Sequence, residues 1–293
     1  MRLQFTKMHG AGNDFIVIDA IHQDISSLTK NDWVRLANRQ FGIGADQILI
    51  VQSPHTNQAD FRYRIINHDG SEVEQCGNGS RCFVRFVRLK GLTTKTEIKV
   101  EVAHTIITLT ELDDHQVRVN MGSPIVDHAL IPFLADGLET RQHGPIAEFL
   151  LSLPDNPAWI TPVSMGNPHA VQIVASVDKA LVKQTGPLIE HHPAFPNRVN
   201  AGFVEVINRS HVKMRVFERG SGETLSCGTG ACAAAVTCIL KNLVDSPVVV
   251  ETSGGNLSIE WDFVGVGLQA PVLMTGPATF VFDGQIDLKS IAQ

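Results

Sequence analysis

Two short motifs, CGNG (Cys76–Gly79) and CGTG (Cys227–Gly230), each set a cysteine before closely spaced glycines. Each reads as a tight turn from a strand into a helix, with glycine allowing backbone that a side chain would obstruct. The first N–H groups of a helix have no partner within it, and the helix dipole favours negative charge at that end. A thiol at such a place is expected to have a lowered pKa, and the same N–H groups can hold a carboxylate. Two such cysteines facing one cleft would put a sulfur on either side of the α-carbon of a bound amino acid. One thiolate would take the α-proton while the other, as a thiol, delivers a proton to the opposite face: stereoinversion without a cofactor. Both helix ends would stabilise the charge that builds on the carboxylate as the proton leaves. Two other readings fit the same residues. The cysteines can simply pack beneath generic strand-to-helix turns. Alternatively, one cysteine is a nucleophile with His169 as its base, a scheme that leaves the duplicate motif without a use.

The duplication extends beyond the cysteines. RIINHDGSEVEQCGNGSRC (Arg64–Cys82) lies over RVFERGSGETLSCGTGACA (Arg215–Ala233) without a gap, and arginine, glutamate, cysteine and two glycines coincide. The matched positions are Arg64/Arg215, Glu72/Glu223, Cys76/Cys227, Gly77/Gly228 and Gly79/Gly230. Upstream, GNDFIV (Gly12–Val17) echoes GNPHAV (Gly166–Val171) at nearly the same offset. Two echoes in one order indicate an internal repeat.

The elements that must position these motifs are mostly strands. LQFTKMH, DFIVID, DQILIVQ and FRYRIIN read as strands in the first half, and EIKVEVAHTIITLTEL as a hairpin-like pair. AVQIVAS, AGFVEVI, VKMRVFE, PVVVETS, NLSIEWD and ATFVFDG follow in the second. A helix is expected after each CG pair. The one after Cys227 is apolar on nearly every face and therefore central. The one after Cys76 is amphipathic, with Phe83, Phe86 and Val87 inward and an arginine stripe, Arg81, Arg85 and Arg88, on an expected solvated face. The fold class is thus mixed α/β (α+β): two pseudo-symmetric domains, each a strand-rich layer or barrel around a central helix. The turn MGSP (Met121–Pro124) is the expected junction, giving domains 1–120 and 121–273, with the final strand region 274–293 returning to the first. Residues 127–160 carry no motif.

Composition narrows the classes. A chain of 293 residues with 43% apolar and 18% charged residues is that of a globular protein large enough for two cores. The net charge of −6 without a basic stripe speaks against nucleic acid as a partner. ACAAAVTCIL is too short to span a bilayer, and MRLQFTKMHGAGND has no signal-peptide core, so a cytoplasmic protein without membrane contact is expected. Five cysteines, an odd number with no CxxC spacing, favour neither a disulfide framework nor structural zinc, and no metal is expected. Cys82, Cys232 and Cys238 read as small buried hydrophobes.

DGSEVEQCGNGSRC (Asp69–Cys82) resembles the signature of the diaminopimelate epimerase family, and ERGSGETLSCGTGACA (Glu218–Ala233) that family's second cysteine motif. MHGAGNDFIVID, GIGADQ, MGNPHA, RVNAGFVEV and GPATFVFDG follow in family order over nearly the full length, leaving 127–160 unmatched. The resemblance implies a cofactor-independent isomerase that converts LL-2,6-diaminopimelate to the meso form, for lysine and peptidoglycan synthesis. It implies that Cys76 and Cys227 are the acid–base pair and that His169 and Glu218 tune their protonation. Backbone N–H groups of Gly77, Asn78, Gly228 and Thr229 would hold the reacting carboxylate. Asn13, Gln47, Asn67, Asn167, Asn200, Glu218 and Arg219 would hold the remaining polar groups of this small-molecule substrate. A homodimer is implied as well, with Phe282 at its contact. A sister two-cysteine racemase of the proline racemase kind and a non-catalytic binding protein are the alternatives. Arg219 and the asparagines speak against the former, which has no second amino-acid group to bind.

Overall fold

The computed structural model describes residues 2–73, 77–103 and 105–291, so Cys76 lies outside the described residues. The chain divides into two units, residues 1–119 with 276–293, and residues 120–275. The first contains β1 (Arg2–Gly10), β2 (Asn13–Asp19), α1 (Lys30–Ala37), β3 (Gln47–Gln52), β4 (Phe61–Asn67), β5 (Glu72–Val73), α2 (Gly77–Leu89), β6 (Glu97–Val102), β7 (Thr105–Glu111) and β8 (Gln116–Asn120). β1 and β2 are antiparallel, β2 runs parallel to β3, and β4 returns antiparallel to β3. β4 then pairs antiparallel with β5 and parallel with β6, from which β7 and β8 follow as antiparallel neighbours. The C-terminal strand Thr279–Asp287 closes this unit against β1.

The second unit repeats that order. It contains β9 (Thr140–His143), β10 (Ile146–Leu151), β11 (Ala158–Ser164), β12 (Pro168–Ile173), α3 (Val182–Glu190), β13 (Asn200–Asn208), β14 (His211–Glu218), β15 (Gly222–Thr224), α4 (Gly228–Leu240), β16 (Val248–Thr252), β17 (Gly255–Trp261), α5 (Phe263–Val266) and β18 (Val272–Pro277), after which β19 is the strand Thr279–Asp287 named above. β11 pairs antiparallel with β12, β12 parallel with β13, β13 antiparallel with β14, and β14 antiparallel with β15 and parallel with β16. β17 and β18 complete the meander. Every pairing sense matches its counterpart in the first unit. The register matches too: Phe15 opposes Gln47, and His169, its counterpart in the GN echo, opposes Asn200.

Each unit is strand-rich around one main helix. α4 is buried along almost its whole length because Ala, Val, Cys and Leu occupy every face. Burial on all sides stabilises such a helix through packing rather than amphipathicity. α2 turns Phe83 onto Tyr63, the rings stacked at 4.9 Å, and Tyr63 Oη lies 2.6 Å from Ser80 Oγ. Cys82, Cys232 and Cys238 are wholly buried in these helices, and burial pushes the Cys238 thiol up to about 12. The solvated arginine face expected on α2 is not there. Arg81 is fully buried, while Arg85 and Arg88 grip the buried carboxylate of Glu111 on β7 at 2.7 and 2.6 Å. A stripe of cations is drawn inward when a neighbouring strand offers a buried anion, and that strand is invisible to helical periodicity. The motif-free stretch supplies core: Phe133 and Phe149 pack edge-on at 4.9 Å, and Phe133 meets Phe195 at 4.8 Å. No helix among the described residues is long and apolar enough to cross a membrane.

Candidate active site

Ion pairs at the repeated Arg and Glu positions fix the strand that leads to each cysteine motif. Arg64 makes two hydrogen bonds to Glu72, Nε to Oε1 at 2.8 Å and Nη2 to Oε2 at 2.7 Å, tying β4 to β5. Arg215 meets Glu223 in the same way at 2.7 Å through Nε, tying β14 to β15. Its Nη1 also donates to the carbonyls of Val177 and Ala180 at 2.8 and 3.2 Å.

In the second unit the chain leaves β15 and reaches Cys227, the residue that precedes α4. Its backbone is extended (φ −124°, ψ 114°) and no side chain caps the helix. The first intrahelical bond is donated by Ala231 to the Cys227 carbonyl at 2.9 Å, so the N–H groups of Gly228 and Thr229 precede the helical ladder. The Cys227 side chain is 6% exposed, and Sγ lies 3.5 Å from Thr229 Oγ1. Burial pushes this thiol well above its ordinary range, and the Glu218 charge adds to the push. Hydrogen bonds from Thr229 and the Gly230 N–H pull the other way and are outweighed. The lowered pKa expected from the helix end is therefore corrected for Cys227: in the ligand-free protein it is a protonated thiol, a proton donor in waiting.

Glu218 acts on Cys227, and the other expected polar residues of this unit are linked by hydrogen bonds of their own. Glu218 ends β14 and accepts from the Thr224 hydroxyl. Asn200 opens β13, donates through Nδ2 to the Pro168 carbonyl at 3.1 Å, and accepts the backbone N–H of Arg219 at 2.9 Å. Arg219 Nη1 reaches the Asn197 carbonyl at 3.2 Å. His169 Nε2 lies 3.1 Å from Asn167 Oδ1, an acceptor, which places the ring proton on Nε2. Burial, with the Arg219 charge second, holds the His169 imidazole down at about 3. Any effect of His169 on a thiol thus comes from a neutral ring.

The first unit gathers the counterparts. Asn13 opens β2, Gln47 opens β3, Asn67 ends β4, and Gly77 and Asn78 open α2. Gln47 Nε2 donates to Asn67 Oδ1 at 2.9 Å, and Asn67 Nδ2 donates to Ser71 Oγ at 3.1 Å. Gln47 Oε1 is buried without a hydrogen-bond partner, an acceptor that a bound donor group would satisfy. Asn78 Nδ2 donates to Asn13 Oδ1 at 3.3 Å, and Asn13 Nδ2 to Asp46 Oδ2 at 2.9 Å. Superposing the repeat in sequence sets Asn13 against Asn167, Gln47 against Asn200, and Asn67 against Glu218. The second unit therefore carries a carboxylate where the first carries an amide. Among the described residues no group of His, Cys, Asp and Glu is arranged to hold a metal.

The comparisons with known proteins fall on this same framework. The family model for diaminopimelate epimerase matches residues 5–126 and 161–281. The diaminopimelate epimerase of Cupriavidus pinatubonensis is 59% identical over 291 residues, covering 99% of both chains. The chain belongs to the diaminopimelate epimerase family. The segment that the family model leaves out, 127–160, is the one without motifs. Among solved structures, a PhzF-family phenazine biosynthesis protein of Bacillus anthracis superposes with a TM-score of 0.69 at 16% identity, covering 98% of this chain and 99% of that one. A hydroxyproline epimerase of Agrobacterium vitis does so at 0.67 and 14%, covering 97% and 92%. At those identities the likeness is one of fold, and the fold is the diaminopimelate epimerase-like one.

Two residues that the sequence reading passed over, Asp46 and Thr224, and one that it placed on a solvated face, Arg81, contact the expected polar set. Asp46 adjoins Gln47 and accepts from Asn13; it lies in GIGADQ, where only the glutamine attracts notice. Thr224 holds Glu218, and its place three residues before Cys227 is the available signal. Arg81 donates to Asn78 Oδ1 at 2.8 Å and lies inside the first cysteine motif.

Proposed function

We propose that this chain is an isomerase that interconverts LL- and meso-2,6-diaminopimelate without a cofactor, in the synthesis of lysine and peptidoglycan. Cys76 and Cys227 are the two acid–base groups, and each carries a single proton in turn. The observation that carries the reading is Cys227: a protonated thiol at the uncapped start of a helix, next to a carboxylate, in a motif that the chain repeats at Cys76. The N–H groups of Gly77, Asn78, Gly228 and Thr229 bind the carboxylate at the reacting carbon and stabilise the charge that develops there. Asn13, Gln47, Asn67, Asn167, Asn200, Glu218 and Arg219 take the other ammonium and carboxylate groups, each of which needs a partner once water is excluded. His169, neutral, and Glu218, charged, set the environment of the thiols. A cytoplasmic homodimer belongs to the same reading, and the consecutive exposed side chains Phe280, Val281 and Phe282 on β19 support the assembly.

Incubation with LL-diaminopimelate followed by chiral analysis tests this. Meso product is expected, and Cys76→Ala and Cys227→Ala should each cut turnover about a thousandfold or more while the fold stays intact. Racemisation of proline with diaminopimelate untouched would replace this reading by the sister-racemase one.

A further inference from the structure

In the first unit four side chains hydrogen bond head to tail. Arg81 Nη2 donates to Asn78 Oδ1 at 2.8 Å, Asn78 Nδ2 to Asn13 Oδ1 at 3.3 Å, and Asn13 Nδ2 to Asp46 Oδ2 at 2.9 Å. The two ends differ in kind, because a guanidinium carries only donors and an ionised carboxylate only acceptors. An asparagine amide can ordinarily turn end for end, exchanging oxygen for NH2 with little change of shape. Between these ends it cannot. A turned Asn78 would set its NH2 against the guanidinium, and a turned Asn13 would set its oxygen against the carboxylate. We propose that Arg81 and Asp46 are positioning residues that fix, from opposite ends of this chain of hydrogen bonds, which way the Asn78 and Asn13 amides are turned, and so what Asn13 presents to the substrate.

Both ends are anchored. Arg81 is wholly buried, and its Nε donates to the Pro277 carbonyl at 3.1 Å. Gly10 makes room for it, since a Cβ there would lie 3.2 Å from Nη2 and 3.1 Å from the Asn78 carbonyl oxygen. A guanidinium taken out of water is costly unless its donors are matched, so its burial against the Asn78 side chain calls for a use. Asp46 is clamped by Asp14 and Arg39. The Asp14 N–H donates to Asp46 Oδ2 at 3.3 Å, the Asp46 N–H to Asp14 Oδ1 at 2.9 Å, and Arg39 Nη2 to Asp46 Oδ1 at 2.7 Å. Held in this sense, Asn13 turns N–H rather than oxygen toward a substrate carboxylate, and the two charged ends fix that choice. The counterpart of Arg81 in the second unit is Cys232, so the device belongs to one half only.

The proposal rests on the assignment of Asn13 to substrate binding, and its test separates the two. In the full-length protein, Arg81→Lys and Asp46→Asn should each raise KM for diaminopimelate about tenfold or more, as loss of a charged hydrogen bond does, with a smaller change in kcat. In an Asn78→Ala background Arg81→Lys should add nothing, and in an Asn13→Ala background Asp46→Asn should add nothing. Additive effects would overturn the proposal, and so would an unchanged KM. Asp46 is 47% exposed, so its variant keeps the fold even if a change at Arg81 does not. Without substrate, the side-chain amide resonances of Asn13 and Asn78 should both shift in either variant; a far amide that stays in place would overturn the chain as a unit. If the wild-type protein does not epimerise diaminopimelate, the proposed function fails, while the amide resonances still decide whether Arg81 and Asp46 act through the asparagines.

Discussion

At Cys227 two physical effects oppose each other, and their sizes decide the outcome. The start of a helix favours an anion by at most about 2 kcal/mol. Full burial raises a thiol by up to several pKa units, each worth about 1.4 kcal/mol. Burial therefore wins, and the neighbouring Glu218 charge adds to it. The CG motif makes the helix end visible in the sequence; the burial comes from strands far away in the chain and leaves no local mark. A direct test follows from the cause. Glu218→Gln removes the charge, so the Cys227 pKa should fall and its thiolate fraction at pH 8 should rise. Peptide-resolved alkylation with iodoacetamide should then run severalfold faster at Cys227 than in the wild type. An unchanged or slower rate would mean that Glu218 does not act on the thiol. The same reasoning explains His169. A histidine in a GNPH context looks available as a base, but burial holds its imidazole at about 3, so it is a weak base and stays neutral near neutral pH.

The elements were legible where apolar residues alternate or form short β-branched runs, and hidden where tertiary contact overrides local preference. VKMRVFE and the start of FRYRIIN alternate between buried and half-buried residues, while DFIVID and DQILIVQ are short apolar runs rich in β-branched residues and buried through their middles. α3 gives no such signal, since Gly186 and Pro187 lie inside it and only packing of Val182 and Ile189 holds it helical. The repeated Arg and Glu were legible as a coincidence, and their meaning appeared only as ion pairs between neighbouring strands. Arg215 and Glu223 are 24% and 16% exposed, and Arg215 also serves the Val177 and Ala180 carbonyls. Arg215→Met should therefore destabilise the protein by about 2–3 kcal/mol and Glu223→Gln by about 1 kcal/mol in urea denaturation. Equal costs would show that the two carbonyl contacts contribute nothing. The turn at Asn13 makes a second prediction at this scale. Burial pushes the Asp14 carboxyl up, but hydrogen bonds from Arg39 and Lys7 bring it down to about 2. A carboxylate depressed on folding stabilises above its unfolded pKa and loses that contribution as pH falls through the folded one. The deficit of Asp14→Asn, on the order of 1 kcal/mol because Arg39 is half exposed, should be full above pH 4 and vanish toward pH 2. A deficit independent of pH would remove the ion pairs as its cause.

At the scale of the whole molecule, one arrangement of strands and helix is built twice and given different charges. The order of pairings is the same in both units, yet Asn67 corresponds in the repeat to Glu218 and Arg81 to Cys232. The duplication was readable because sequence echoes survive at the turns, where glycine and the ion pairs constrain the chain. Residues 127–160 were not readable, because hydrophobic core of this kind tolerates any set of side chains of suitable volume. The proposed pair of cysteines, each able to hold a single proton, would make a definite demand on proton traffic. The base retains the hydrogen it removes, and the acid delivers one that came from solvent. In deuterated water, at low conversion, the product should gain deuterium at the α-carbon while residual LL-diaminopimelate gains little. A single group that removes and returns the proton would instead carry the substrate's own hydrogen into the product. Mass spectrometry of both species at early times distinguishes the two. Unlabelled early product would exclude the two-thiol mechanism even if both cysteines proved essential, because essential groups can position a substrate without exchanging its proton. Deuterium that appears equally in substrate and product would point to a base open to solvent.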